Sequence, residues 1–264
     1  VPPHPWGPWS SGGAMPAAAP PRRVDDPPAP TDAQLEKAGL SPLYLKGGAQ
    51  QIKQLVLGAN LALGEQRFDA GLELQARAAA LFGQMQMHED QVTALIILGS
   101  YELAASRPEN ARQSYQGAVA LAAHHALPGP QAQAELALGM LDAIAQDPAA
   151  LGHYEAAGSL SEQAKAIPFA IECWRMAGQL ASDTGLLERA DENFARGLAL
   201  AEALPPQAAQ VTSAAEIARL LASAAERRGE AARADELQRQ AFRLEHGVEP
   251  GPLRAEPAAL EATG

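Results

Sequence analysis

From about Gln50 onward, apolar and small residues recur at intervals of three and four: Leu55, Gly58, Ala59 and Ala62, then Leu72, Ala76, Ala79 and Phe82. Side chains spaced that way share one face of an α-helix, so the pattern predicts a succession of amphipathic helices. Short breakers divide them: Gly64 to Arg67, Arg107 and Pro108, Leu127 to Pro130, Asp147 and Pro148, Gly185, Pro205 and Pro206, and Gly229. Pro108, Pro148 and Pro168 suit the first turn of the helix that follows, where a missing amide proton is no loss. Met85 and Met87, with Phe82, are expected to cover a further helix junction.

The two ends are patterned differently. Eleven of the 21 prolines fall in the first 42 residues, a density that no ladder of backbone hydrogen bonds tolerates. An arm over 1–47 is therefore expected, extended or disordered and with at most one short helix. Thr31 would cap that helix, which runs to about Ala38 and is closed by Pro42. Trp6 and Trp9 stand in the arm either as a docking anchor or as ordinary residues of a tail. Met15 is a candidate natural start, which leaves open whether residues 1–14 are native. Helical repeats are expected over 48–246. A loose tail is expected over 247–264, where Pro, Gly, Ala and Glu return.

The helices repeat. A small residue opens the second helix of each pair, at Gly71, Ala111, Ala150, Ala190 and Ala234, with separations of 40, 39, 40 and 44. Another precedes each of these by twelve positions (eleven in the third copy): Ala59, Gly99, Gly139, Gly178 and Ala222. Four positions after the first set come Gln75, Tyr115, Tyr154, Phe194 and Gln238; seven after it come Ala78, Ala118, Ala157, Gly197 and Ala241. Antiparallel helices approach closely only where small residues meet, and a ring one turn later fills the groove beside that crossing. The outer copies carry Gln75 and Gln238 instead of a ring, as expected of terminal units that face solvent on one side.

This pattern resembles the tetratricopeptide repeat (TPR). The resemblance is carried by Leu95, Leu98, Gly99, Ala111, Tyr115 and Ala118, and again by Trp174, Gly178, Gly185, Ala190 and Phe194. The third copy keeps Leu138, Gly139, Ala150, Tyr154 and Ala157. The first keeps Phe68, Gly71 and Ala78, and the last Leu221, Ala222, Gly229, Ala234 and Ala241. Two departures stand out. The period is nearer 40 than the usual ~34, and Glu135 stands where a large apolar residue is customary. The resemblance implies an all-α, right-handed solenoid of about five TPR-like helix hairpins, with the first helices lining a concave groove.

Helical phase then assigns the groove residues. They are Lys53, Val56, Asn60 and Leu63 in copy one, Thr93, Ile96, Ser100 and Leu103 in copy two, and Gln133, Leu136 and Met140 in copy three. Copy four adds Glu172, Arg175, Gln179 and Asp183, and copy five Glu216, Arg219, Ser223, Glu226 and Arg227. The first three sets are mainly apolar or neutral and the last two carry both charges. A bound peptide could thus set apolar groups near Ile96, Leu103 and Met140 and polar ones near Arg175 and Arg219. The competing possibility is that Glu172, Arg175, Glu216 and Arg219 pair locally, in ion pairs worth about 0–1 kcal/mol each. Relatives that clamp a C-terminal carboxylate use Lys and Asn on successive first helices. Asn60 fits one such place, but Lys53 is offset and Ile97 occupies the other, so a carboxylate clamp is not expected.

Composition narrows the function classes. The chain has 59 alanines in 264 residues against 5% aromatic, which favours closely packed helices. A net charge of -11 argues against a nucleic-acid partner, which would need a basic face. No apolar run reaches the ~18 residues of a membrane span, so no direct membrane insertion is expected. The cytoplasm is the expected compartment, with a removed export signal as the open alternative. Cys173 is the one cysteine, which excludes an internal disulfide; it is expected to be a packed, inert thiol.

Histidines His4, His88, His124, His125, His153 and His246 form no His-Glu-x-x-His stretch, and no phosphate loop or nucleophile elbow is present. His124 and His125 suit the negative end of a helix, and Glu188, Asp191 and Glu192 the positive end of another. No catalytic residue, cofactor or metal is expected. The expectation is a non-enzymatic scaffold binding a protein or peptide segment, as adaptor, chaperone or regulator. A bacterial origin is suggested by 16 Arg against 4 Lys. The alternative is a structural or self-associating component of a larger envelope or secretion apparatus.

Overall fold

A computed structural model describes the backbone over residues 42–204 and 208–247. The expected proline-rich arm up to Ser41, with its tryptophans and the short helix from Thr31, lies outside the described residues, as does the tail from Val248. Ten helices and no strand occur among the described residues. They pair as α1 (Pro42–Gly64) with α2 (Phe68–Gln84), α3 (His88–Ala104) with α4 (Pro108–His124), and α5 (Pro128–Ile144) with α6 (Ala149–Gln163). Next come α7 (Ile167–Asp183) with α8 (Leu187–Glu202), and α9 (Ala208–Arg227) with α10 (Ala231–His246). From α2 on, each helix packs on the next, and first helices also touch each other, α3 on α5 and α7 on α9. This is a right-handed TPR-like solenoid of five hairpins.

Eight of the connections share one local geometry. Each helix ends on a residue in the left-handed region: Gln66, Gln86, Ser106, Ala126, Gln146, Lys165, Gly185 and Gly229, with φ between 52° and 80°. The next amide then donates back five residues, as from Arg67 to the Ala62 carbonyl (2.7 Å) and from Leu186 to Ala181 (2.8 Å). These Schellman-type closures satisfy carbonyls that the helix end would otherwise orphan. Only two of the eight use glycine, the residue that adopts this conformation without a Cβ penalty. Ala126 (φ 52°) has no side-chain hydrogen bond to offset the strain. Ala126→Gly is therefore expected to raise stability by about 0.5–1 kcal/mol, and Gly185→Ala to lower it similarly, as read from urea midpoints.

Inside each central hairpin a glycine lies under a ring. A Cβ added to Gly99 would stand 2.5 Å from the Tyr115 ring, one on Gly139 2.6 Å from Tyr154, and one on Gly178 2.5 Å from Phe194. Gly158 lies likewise under Trp174, 2.6 Å away, which locks the third hairpin to the fourth. Ala111, Ala118, Ala150, Ala190 and Ala222 are fully buried and Ala234 nearly so, as the small-residue spacing predicts. Gly71 approaches Leu63 and the Ala59 carbonyl. The Trp174 indole donates to Glu162 Oε1 (2.8 Å), and the Arg196 guanidinium sits 4.2 Å over its ring.

Gln75 departs from the expectation. It is 1% exposed, not solvent-facing, because α2 lies between α1 and α3. Its amide donates to the Ala94 carbonyl at 3.1 Å, replacing a ring by a hydrogen bond across hairpins. Gln238 on α10, the last helix, is exposed as expected.

The irregular third hairpin carries a polar interior. Asp142, fully buried on α5, meets Arg112 Nη1 of α4 at 2.5 Å. Glu135 Oε2 lies 2.7 Å from His153 Nδ1 on α6, and Asp142 Oδ2 lies 3.4 Å from the other ring nitrogen. The preceding hairpin has the same design in a milder form, with the Ser114 hydroxyl donating to the buried Glu102 at 2.7 Å. The large apolar residue missing at Glu135 is thus replaced by charge pairing, while the helices persist.

Candidate functional site

The residues assigned to a groove lie on the first helices, and the structure divides them into three kinds. At the start of the stack, Asn60 on α1 is engaged by the Tyr101 hydroxyl of α3, which donates to its Oδ1. Ser100 turns inward, donating to the Ile96 carbonyl at 3.0 Å and standing 3.3 Å from the Tyr115 hydroxyl. Both candidates therefore join helices and are not free to clamp a carboxylate.

The middle is apolar. Ile96 and Leu103 on α3 are half-buried against the core of the second hairpin. Leu136 and Met140 on α5 are half-buried against the larger core that runs through the fourth and fifth hairpins. Ile144 follows Met140 by one turn and is 72% exposed, more than any other large apolar side chain among the described residues. The residues assigned to this copy ended at Met140, although the same helical phase continues to Ile144. An isoleucine left that open beside half-buried neighbours forms an apolar strip along α5.

The last two hairpins are polar and internally paired. Arg175 makes a two-pronged pair with Glu172 one turn before it on α7, with its Nε at 2.9 Å. Burial opposes the charge, but the Glu172 bond, followed by attraction from Glu172 and from Glu216 on α9, holds its pKa above the usual arginine value. Gln179 donates to Asp183 (2.9 Å). Arg219 pairs with Glu245 of α10, and Arg227 reaches across to the Ser182 carbonyl (2.8 Å) and hydroxyl (2.7 Å) of α7. Arg175 thus pairs with one of the residues the sequence offered, within its own helix, whereas Arg219 takes Glu245 of α10, which was not among them. Ser223, Glu216 and Glu226 are exposed.

Chemistry outside this face is sparse. Cys173 is fully buried beside Trp174, and burial pushes its thiol up to about 12, which keeps it protonated and unreactive. His125, at the end of α4, stacks on His88 at the start of α3 with ring centroids 3.6 Å apart, and His124 meets it edge-on at 4.8 Å. Sequence spacing could not reveal His88 as their neighbour. Burial first, then the two neighbouring rings, lower the His125 pKa. No group of three or more His, Cys, Asp or Glu among the described residues is placed to hold a metal ion. No helix among them is long and apolar enough to cross a membrane.

Several solved structures share this architecture. BtubC (BKLC) from P. vanneervenii superposes with a TM-score of 0.59 at 18% identity, covering 86% of this chain and 92% of that one. A Podosopora anserina putative kinesin light chain with nearly identical TPR-like repeats gives 0.54 at 16%, covering 75% and 96%. The MamA protein gives 0.51 at 15%, covering 77% and 100%. No protein-family model and no curated protein matches the sequence. At these identities the likeness establishes a TPR-like fold.

Proposed function

We propose that this TPR-like stack is a non-enzymatic interaction scaffold that holds a segment of another protein against its first helices, with the apolar strip on α3 and α5 as the main contact. The observation that carries this reading is Ile144, 72% exposed one turn beyond Met140. An apolar strip left open beside the internally paired charges of α7 and α9 suits a covering partner. Apolar anchors of a peptide would displace water from Ile96, Leu103, Leu136, Met140 and Ile144. Arg175 and Arg219 would add orientation at the rim by exchanging intramolecular carboxylates for those of a partner.

The structural similarity to TPR-like repeat proteins agrees with such a role, as adaptor, chaperone or regulator. The test compares retained partners on the immobilised protein and on two variants. Met140→Glu with Ile144→Glu is expected to lose a partner held by the wild type, by at least ~100-fold in affinity if two anchors are lost. Arg175→Glu with Arg219→Glu is expected to weaken the same partner by less, and both variants are expected to keep the helical circular dichroism of the wild type. Equal retention by all three proteins would overturn the assignment of this face.

A further inference from the structure

We propose that the third hairpin is a proton-operated joint: a protonated His153 ties α6 to α5 through Glu135 and Asp142 together, and a neutral His153 releases one tie beside a buried carboxylate. The geometry demands this. Carboxylate oxygens lie near both ring nitrogens: Glu135 Oε2 is hydrogen-bonded to Nδ1 at 2.7 Å, and Asp142 Oδ2, which has no hydrogen-bond partner, lies 3.4 Å from Nε2. A neutral imidazole that shares its Nδ1 proton with Glu135 carries no charge to offset Asp142; an imidazolium keeps the Glu135 bond and also attracts Asp142 as an ion pair.

The charges balance in one protonation state. Arg112 from α4 and the imidazolium from α6 offset Glu135 and Asp142 from α5. Loss of the proton leaves one uncompensated negative charge around Asp142, whose side chain is 1% exposed. Two neighbouring titratable groups stay protonated throughout this range. Burial and, second, Asp142 push the Tyr154 hydroxyl of α6 up to about 12, and burial does the same to Cys173 of α7. Glu155 and Glu162 of α6 are occupied by Arg189 with Asn193 and by Arg196.

The hydrogen bond to Glu135, outweighing burial and aided by both carboxylates, raises the pKa of His153 above its ordinary 6.5. A group raised on folding stabilises fully below its unfolded value, and the contribution fades as pH climbs through the folded value. The joint is therefore tight in mild acid and slack in mild base. Because α5 also carries Leu136, Met140 and Ile144, acidity would adjust the strip proposed above to bind. That consequence rests on the proposed function; the joint itself does not.

Amide hydrogen exchange on the whole protein reads the joint without any ligand. After correction for intrinsic rates, opening of α5 and α6 is expected to be several-fold rarer at about pH 6 than at about pH 8.5, with α7 and α8 less affected. His153→Gln, which retains one neutral donor, should remove that difference. The same pH response in wild type and variant would overturn the proposal. Should the variant fail to fold, nuclear magnetic resonance of the wild-type imidazoles decides the matter. A His153 ring carrying two N–H protons to higher pH than the other histidines supports the joint, and a ring already neutral at about pH 6 refutes it.

Discussion

Truncating Phe194 to alanine is expected to lower the unfolding free energy by about 3–5 kcal/mol. The ring is 1% exposed and belongs to the largest apolar cluster among the described residues, with Leu198, Ile217 and Leu221. It enters from α8 and lies against the bare backbone of Gly178 on α7, so its removal leaves a cavity in that core. Cores of close-packed helices relax little around such a void, so the lost transfer energy and the cavity term add. Because a repeat contacts only its neighbours, the loss should be concentrated in the fourth hairpin and the two beside it. Urea unfolding measures the total, and hydrogen exchange of α5 to α10 locates it.

The reverse insult, Gly178→Ala, is expected to cost about 1–3 kcal/mol. A methyl there would stand 2.5, 2.6 and 2.8 Å from three ring carbons of Phe194, inside any contact that real Cβ atoms make. The ring cannot swing away, since it is buried on all sides; the helices must separate or the ring must leave its rotamer. Alanine is otherwise the better helix former by about 1 kcal/mol, so a net loss of stability would be a direct sign of the clash.

The repeat and its hairpins were legible in the sequence because small residues at crossing points and rings one turn later recur in phase. What escaped did so for identifiable reasons. The connection at Lys165 and Ala166 is marked in the sequence only by Pro168, in the first turn of the helix after it. Its closure depends on a left-handed residue that is not glycine, which no composition rule marks. Gln75 reads as a polar replacement at a solvent-facing end, but a long amide can satisfy a neighbour's carbonyl and be buried.

The candidate face was legible only in outline. Phase placed Leu136 and Met140 on α5, while the exposure of Ile144 depends on how the next helices stack. Asn60 and Ser100 had the right helical phase, and only the structure shows them spent on Tyr101 and on the Ile96 carbonyl. Asp142 is the clearest case. An acid inside an apolar pattern suggests a solvated position, and nothing local announces that Arg112 and His153 will arrive from two other helices to neutralise it.

Throughout the stack, a glycine on the first helix accompanies a ring on the second. Gly99 goes with Tyr115, Gly139 with Tyr154 and Gly178 with Phe194, whereas Ala59 goes with Gln75 and Ala222 with Gln238. If ring and bare backbone are one unit, the cost of Gly178→Ala must depend on what stands at Phe194. A double-mutant cycle in urea over the wild type, Gly178→Ala, Phe194→Gln and their combination measures that dependence. The alanine is predicted to cost about 1–3 kcal/mol beside Phe194 and close to nothing beside glutamine. An equal cost in both backgrounds would show that the hairpins are not held together by rings seated on glycine.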